Sequence, residues 1–157
     1  MSQSTRATKA LEAAGVAFTL HTYDYDASAE RIGLQAADAL GEDPARILKT
    51  LMALVDGEPV IAILPSDAQV AMKKLAAAFV GRKAKMMPPA DAERLTGYKV
   101  GGISPFGQMR KVPVAMEETA LAEPHVFING GQRGLQIRMN PQDAVTVLDA
   151  LTIPLVA

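Results

Sequence analysis

The sequence contains no cysteine and no tryptophan, and aromatic residues make up only 4% of its 157 positions. The absence of cysteine excludes disulfide bonds, a thiolate nucleophile and cysteine-based zinc sites, and is typical of the cytoplasmic protein that we expect. No apolar stretch is long enough to span a bilayer, so we expect no membrane contact, and the first residues lack the apolar core of a secretory signal. Hydrophobic residues still reach 49%. We therefore expect one domain, residues 1–157, with a core of small and aliphatic side chains.

The chain also lacks the motifs of several enzyme classes. It has no Walker phosphate loop, no dinucleotide-binding glycine fingerprint and no G-x-S-x-G nucleophile elbow. Its two histidines, His21 and His125, are far apart and show no metal-ligand spacing. We expect no cofactor and no metal, which disfavours a metal-dependent hydrolase. A structural role is expected for His125, whereas a chemical role for His21 stays open.

The net charge of −1 gives no overall attraction to nucleic acid, but its distribution is uneven. Residues 73–111 contain nine basic and two acidic residues, a net charge of +7, which leaves −8 for the remainder. Such asymmetry indicates either one face that attracts a polyanion or a solvated surface with ordinary scatter.

Helix and strand signals alternate along the chain, which predicts a mixed α/β (α+β) domain. Asp56-Gly57 is a strong hairpin signal between two apolar runs, and Asn140-Pro141 is typical of a helix start. The hairpin argues against a purely parallel, doubly wound sheet.

Lys49 lies within an apolar run, residues 47–55, that reads as a central strand covered on both faces. A lysine is almost never fully buried without a partner. Lys49 must therefore meet an internal carboxylate, extend to an edge, or point into a cleft that receives an anion.

Two glycine-rich segments, residues 97–107 and 129–134, predict shaped loops. Their main-chain N–H groups are suited to hold a carbonyl oxygen that becomes negative, although tight connecting turns would show the same composition. Arg133, within the second segment, is suited either to grip a phosphate or carboxylate or to bridge loops.

These segments together resemble the YbaK/EbsC family of aminoacyl-tRNA deacylases, which are related to the editing insertion of bacterial prolyl-tRNA synthetase. The resemblance covers nearly the whole chain, and within the family it is greatest to the YbaK type. The motifs that carry it are Leu48-Lys49-Thr50-Leu51, Gly97-Tyr98-x-x-Gly101-Gly102-Ile103-Ser104-Pro105-x-Gly107 and Gly130-Gly131-x-Arg133-Gly134-Leu135-x-Ile137.

The resemblance implies a curved mixed β-sheet that forms a partly closed barrel flanked by helices. It implies a catalytic role for Lys49, which would contact the 3′-terminal adenosine or its phosphate, and for Gly101 and Gly102, which would cup the aminoacyl group. The substrate-binding residues that it implies are Tyr23, Ile32, Thr50, Ser104, Asn129, Gly130, Gly131 and Arg133.

The function that the resemblance implies is clearance, in trans, of cysteine from Cys-tRNA(Pro), and also from Cys-tRNA(Cys), by attack of the substrate thiol on its own ester. The implied partners are the acceptor end of aminoacyl-tRNA and prolyl-tRNA synthetase. Two alternatives stay open: removal of Ala, Ser or Thr with a bound water, and a non-catalytic module that binds aminoacyl-adenosine. Gln132 and Gln136 replace a lysine and an aspartate of the YbaK type, and Ile32 replaces an aromatic residue.

Overall fold

The computed structural model describes residues 3–29 and 32–157, without the side chains at positions 32 and 33. The described residues form five α-helices and eight strands. The helices are α1 (Arg6–Ala14), α2 (Ile32–Leu40), α3 (Met72–Ala78), α4 (Pro89–Thr96) and α5 (Pro141–Leu148). The strands are β1 (Phe18–Thr22), β2 (Leu48–Val55), β3 (Glu58–Pro65), β4 (Ala84–Met86), β5 (Val114–Glu117), β6 (Val126–Asn129), β7 (Leu135–Met139) and β8 (Leu151–Ile153).

The strands form two sheets. One has five strands in the order β4-β2-β3-β5-β8, and the other has three in the order β1-β7-β6. The larger sheet is mixed, because β2 pairs antiparallel with β3 and β4 while β5 lies parallel to β3 and β8. The described strands do not close into a barrel, and the two sheets meet where Ile47 pairs with Phe127. The mixed α/β class is thus confirmed, and the described residues show two sheets without a closed barrel.

The predicted turn and cap signals act as expected. Asp56 and Gly57 adopt positive φ angles of 50° and 83°, which match the right-handed twist of a two-residue hairpin between β2 and β3. The Asn140 side chain accepts a hydrogen bond from the N–H of Gln142 and so caps α5.

Strand β2 lies between β4 and β3, covered on both faces. Leu48 and Met52 pack into one apolar cluster, whereas Ala53 and Val55 pack into a second cluster on the opposite face. This placement confirms the prediction of a central strand, and it fixes Lys49 near the start of that strand, opposite Leu64 of β3.

A buried carboxylate fastens the C-terminal segment, in an arrangement that we call the Glu117 clasp. Glu117 is only 3% exposed. Its Oε1 accepts hydrogen bonds from the N–H groups of Leu155 (2.8 Å) and Val156 (3.0 Å), and its Oε2 accepts one from Thr119 (3.0 Å). Burial alone would raise the pKa of Glu117, but these donors outweigh it and hold the pKa below its ordinary value.

Among the described residues, no helix combines the length and the apolar character needed to cross a bilayer.

Candidate active site

A cleft of about 200 Å³ opens between the start of β2, the end of β1 and the two glycine loops. Five of the residues implicated by the sequence line it: Tyr23, Lys49, Thr50, Gly101 and Asn129. The path of the chain brings them together. Strand β1 ends just before Tyr23, and strand β6 ends at Asn129, where the second glycine loop begins.

Lys49 is partly buried at this cleft, and its Nζ donates a hydrogen bond to the carbonyl of Ala68 at 2.5 Å. Within residues 3–29 and 32–157, no carboxylate forms an ion pair with it. Burial lowers the pKa of Lys49, and the negative charge of Asp67 opposes that shift. Since an ammonium group has three N–H donors, two stay available for a ligand. Of the three alternatives for this lysine, the internal ion pair is wrong.

Asn129 ties the two glycine loops together. Its Oδ1 accepts hydrogen bonds from the N–H groups of Gly131 (2.7 Å) and Gln132 (3.3 Å), and its Nδ2 donates to the carbonyl of Gly101 (3.2 Å). One side chain therefore fixes the second loop internally and sets its distance from the first.

Gly101 and Gly102 differ in their surroundings. Gly101 borders the cleft with φ of +89°, and a Cβ atom there would lie 2.5 Å from Oη of Tyr25. Gly102 does not line the cleft. Its N–H donates to the carbonyl of Lys99 at 2.8 Å, and a Cβ there would lie 2.8 Å from the main-chain nitrogen of Arg133. The main-chain donor expected at Gly102 is thus used within the protein, and this glycine permits close contact of the loops.

Arg133 bridges the loops. Its Nε donates to the carbonyl of Val100 at 2.9 Å, and its guanidinium carbon lies 5.4 Å from the centroid of the Tyr25 ring. Arg133 itself lines a separate hollow of about 390 Å³, together with Gly102 and Gly131. It therefore supports a wall of the cleft from outside.

Three further predicted residues, Ser104, Gly130 and Gly131, also lie outside the cleft. Ser104 is fully buried, and its Oγ accepts a hydrogen bond from the N–H of Phe106. The carbonyl of Gly130 accepts a hydrogen bond from Oγ1 of Thr5 at 2.6 Å. Gly131 packs against the Tyr98 ring, where a Cβ would lie 2.8 Å from Cε1. These residues shape the loops.

Tyr98 holds the first glycine loop in place through its hydroxyl group. Its hydroxyl donates to the carbonyl of Phe106 at 2.6 Å, and burial raises the pKa of Tyr98 to about 12. At neutral pH this phenol is therefore a hydrogen-bond donor and not a base.

The structure adds residues to the cleft that were not among the predicted site residues. They include Tyr25, Ser66, Val100, Ile103 and Gln136. The available signal for Gln136 was its place in β7, where a polar residue stands among buried neighbours. Its side chain lies against Tyr23, where it opposes the rise that burial causes in the Tyr23 pKa.

Ile32, the last predicted substrate-binding residue, has a side chain outside the described residues. The histidines do not line the cleft: the rings of His21 and His125 both contact Phe127 edge to face, at 5.3 and 5.5 Å between centroids. Across the described part of the chain, no group of three His, Cys, Asp or Glu side chains is placed to hold a metal ion.

Comparison with known proteins identifies the family of this chain. A model of the aminoacyl-tRNA editing domain matches residues 29–147. EbsC of Enterococcus faecalis, named as a candidate Cys-tRNA(Pro)/Cys-tRNA(Cys) deacylase, is 33% identical over 122 residues, which cover 76% of this chain and 74% of EbsC. A proline–tRNA ligase of Acidithiobacillus ferrooxidans is 29% identical over 87 residues, which are 55% of this chain and 15% of the ligase.

Among solved structures, a candidate trans-editing enzyme for prolyl-tRNA synthetase superposes with a TM-score of 0.85 at 21% identity, covering 100% of this chain and 98% of that one. This likeness establishes the shared fold. The family model, which spans most of the chain, and the 33% identity to EbsC establish the relationship itself. The chain therefore belongs to the aminoacyl-tRNA editing domain family.

Proposed function

We propose that this protein clears mischarged Cys-tRNA(Pro) in trans. Family membership makes the chain an aminoacyl-tRNA deacylase, and its relative EbsC, named as a candidate Cys-tRNA(Pro)/Cys-tRNA(Cys) deacylase, supports cysteine as the amino acid. The observation that carries the proposal is that Lys49 and Gly101 line one cleft, and that the described residues use only one of the three N–H donors of Lys49.

The RNA end is steadied by charge. In the proposed complex, Lys49 contacts the 3′-terminal adenosine or its phosphate, because an ammonium group forms strong charge-assisted hydrogen bonds to phosphate oxygens. Residues 73–111, with their net charge of +7, attract the acceptor stem. The ligase and the solved trans-editing neighbour support prolyl-tRNA synthetase as the partner that delivers the tRNA.

The aminoacyl group fits the small space beside this lysine. At about 200 Å³ the cleft lies below the roughly 300–1,000 Å³ of pockets that enclose drug-sized ligands. Its apolar wall contains Ile47, Leu48 and Ile103. A small, weakly polar side chain such as that of cysteine is therefore favoured over a larger one.

The substrate supplies its own nucleophile in this proposal. The cysteine sulfur attacks the ester carbonyl carbon, the C–S bond forms, the C–O bond to ribose breaks, and the thiol proton ends on the ribose oxygen. A cyclic thioester and free tRNA leave. Correct orientation of such an intramolecular attack lowers the barrier by about 7–11 kcal/mol. The protein then needs only to hold the ester and stabilise the oxyanion, for which the N–H of Gly101 and the Lys49 ammonium are the nearest candidates.

The test is a deacylation panel with labelled cysteinyl-, alanyl-, seryl- and threonyl-tRNA(Pro). We expect the cysteinyl ester to be cleared fastest, and Lys49→Ala to lower kcat/KM by about 10- to 100-fold because a charge-assisted hydrogen bond is lost. Lys9→Ala is the matched control, since Lys9 is exposed on α1 outside the basic segment.

Each alternative gives a different result. Faster clearance of alanyl-, seryl- or threonyl-tRNA, with S-methylcysteinyl-tRNA still cleaved, would mean that the nucleophile is a bound water and not the substrate thiol. Affinity for aminoacyl-adenosine without turnover of any ester would mean that the protein is a non-catalytic binding module. Equal rates for Lys49→Ala and Lys9→Ala would remove Lys49 from the mechanism.

A further inference from the structure

Two residues that line the cleft each carry a buried polar atom without a hydrogen-bond partner among the described residues. These atoms are Oγ1 of Thr50 and Oε1 of Gln136. Buried polar atoms in native proteins are nearly always paired, because an unpaired one loses its bonds to water without compensation. Two such atoms on residues that line one cleft indicate that a ligand completes their bonding.

Gln136 is the more constrained of the two. It is 5% exposed in β7, the middle strand of the smaller sheet, where it pairs with His21 of β1 and Asn129 of β6. Because pairing on both sides fixes the backbone, Gln136 stays beside the cleft, and a rotation of its side chain would bring the buried oxygen to a ligand.

The unpaired atom defines the chemistry of its partner. An amide oxygen only accepts hydrogen bonds, so the ligand must bring an N–H or O–H donor. Near its scissile bond, an aminoacyl ester offers the α-ammonium group and the neighbouring 2′-hydroxyl of the ribose. None of the described residues that line the cleft is acidic, so neutral oxygens are the acceptors that an ammonium group would find there.

We propose that Oε1 of Gln136 accepts a hydrogen bond from the α-ammonium group of the bound aminoacyl ester. The ammonium is favoured over the 2′-hydroxyl because a hydrogen bond from a charged donor is roughly twice as strong. The inference rests on the proposed function, which it deepens: Gln136 makes the cleft selective for esters of amino acids with a free α-amino group.

The decisive variant is Gln136→Leu, which keeps a similar volume and removes both polar ends of the side chain. In the free protein, the gain from losing an unpaired acceptor is offset by the loss of the hydrogen bond between this amide and Tyr23, so the melting temperature should change by less than about 4 °C. The same variant weakens binding of a stable probe, 3′-deoxy-3′-(alanylamino)adenosine, by about 10- to 100-fold. A purely structural glutamine would show the reverse: lower stability, with affinity following the folded fraction.

Gln108 provides a matched control. Its Oε1 is also buried without a partner, yet this residue lies outside the cleft and its Nε2 donates to the carbonyl of Ser104 at 3.0 Å. Gln108→Leu therefore removes a glutamine with the same bonding defect. We expect no change in its affinity for the probe.

Two modified probes identify the donor. With a probe whose α-amino group is replaced by hydrogen, wild type and Gln136→Leu should bind equally. With a 2′-deoxy probe, the 10- to 100-fold difference should persist. A difference that survives loss of the amino group but vanishes with loss of the 2′-hydroxyl assigns Gln136 to the ribose and overturns the proposal. Equal affinity of wild type and Gln136→Leu for the parent probe also overturns it.

Failure of this inference is distinguishable from failure of the proposed function. Wild-type protein that binds the probe through Gln136 but deacylates no tRNA would refute the proposed deacylase activity and leave the proposed role of Gln136 intact. Turnover that Gln136→Leu leaves unchanged refutes the recognition alone. Wild-type protein that neither binds nor turns over refutes both.

Discussion

The Glu117 clasp and the active-site cleft both bury polar side chains against a sheet, but they treat those side chains differently. Glu117, 3% exposed, has both carboxylate oxygens bonded to main-chain N–H groups. Gln136, 5% exposed, has an amide oxygen without a partner among the described residues. The clasp is complete in the free chain, whereas the Gln136 oxygen is left, in the proposed complex, for a ligand to bond.

Removing the charge of the clasp has the largest expected effect. Glu117→Gln replaces one acceptor oxygen by an NH₂ group that faces main-chain donors, so buried N–H groups lose their partner. We expect the free energy of unfolding to fall by about 2–4 kcal/mol. Chemical denaturation measures the change, and Glu118→Gln, at the exposed neighbouring position, should change little.

The pH dependence of stability checks the same clasp. Because folding lowers the pKa of Glu117, its contribution is fully present above the unfolded-state pKa and is lost as pH falls through the folded-state pKa. Stability of the wild type should therefore fall more steeply below about pH 4.5 than that of Glu117→Gln. Parallel curves for the two proteins would mean that the carboxylate is not the group that the clasp depends on.

A methyl group at Gly102 tests the supporting loops of the cleft. The added Cβ would lie 2.8 Å from the main-chain nitrogen of Arg133, and a backbone obstacle cannot rotate away. We expect Gly102→Ala to cost about 1–3 kcal/mol and to reduce deacylation, because the loops must separate. Gly57→Ala adds a methyl group in open space at a φ of +83°, so it should cost about 1 kcal/mol and leave the deacylation rate unchanged. Equal rates for both variants would show that loop contact is irrelevant to activity.

Two threonines sharpen the comparison within one residue type. Oγ1 of Thr96 donates to the carbonyl of Ala92 at 2.8 Å and accepts from the N–H of Tyr98 at 3.1 Å, whereas Oγ1 of Thr50 has no partner among the described residues. Thr96→Val should therefore lower the free energy of unfolding by about 1–2 kcal/mol, and Thr50→Val by less than about 0.5 kcal/mol. Thermal unfolding of the pair measures the contrast, and equal losses would contradict it.

Sequence patterns predicted the parts of this fold that local chemistry decides. The Asp56-Gly57 hairpin, the Asn140 cap and the covered strand around Lys49 each depend on neighbouring residues, and each was confirmed. The partly closed barrel that the family resemblance implies depends on pairings between distant strands, which no local pattern specifies. The described residues show two sheets, without a closed barrel.

In the candidate site too, local patterns predicted some residues correctly, whereas the packing of distant segments decided the others. Lys49 and Gly101 were predicted and line the cleft, but Ser104 and Arg133 carry recognisable loop motifs and lie outside it. A motif shows that a loop is shaped, without showing which of its atoms face the ligand. Gln136 was not among the predicted site residues, because the unpaired atom on which its proposed role rests arises only from three-dimensional packing.

The smallest expected effect concerns the electrostatics of Lys49. Burial lowers its pKa and Asp67 opposes the shift, so Asp67→Asn should lower the Lys49 pKa further, while Asp143→Asn on α5 should leave it unchanged. Because folding favours the neutral amine, stability should rise as pH increases from the folded-state pKa toward the unfolded value of about 10.4, and in Asp67→Asn that rise should begin at lower pH. Titration of the Lys49 Nζ resonance by NMR measures both shifts. A Lys49 pKa that is unchanged in Asp67→Asn would show that solvent fully screens the Asp67 charge from the Lys49 ammonium. The cleft around Lys49 would then contain more water than the buried, unpaired polar atoms of its lining residues suggest.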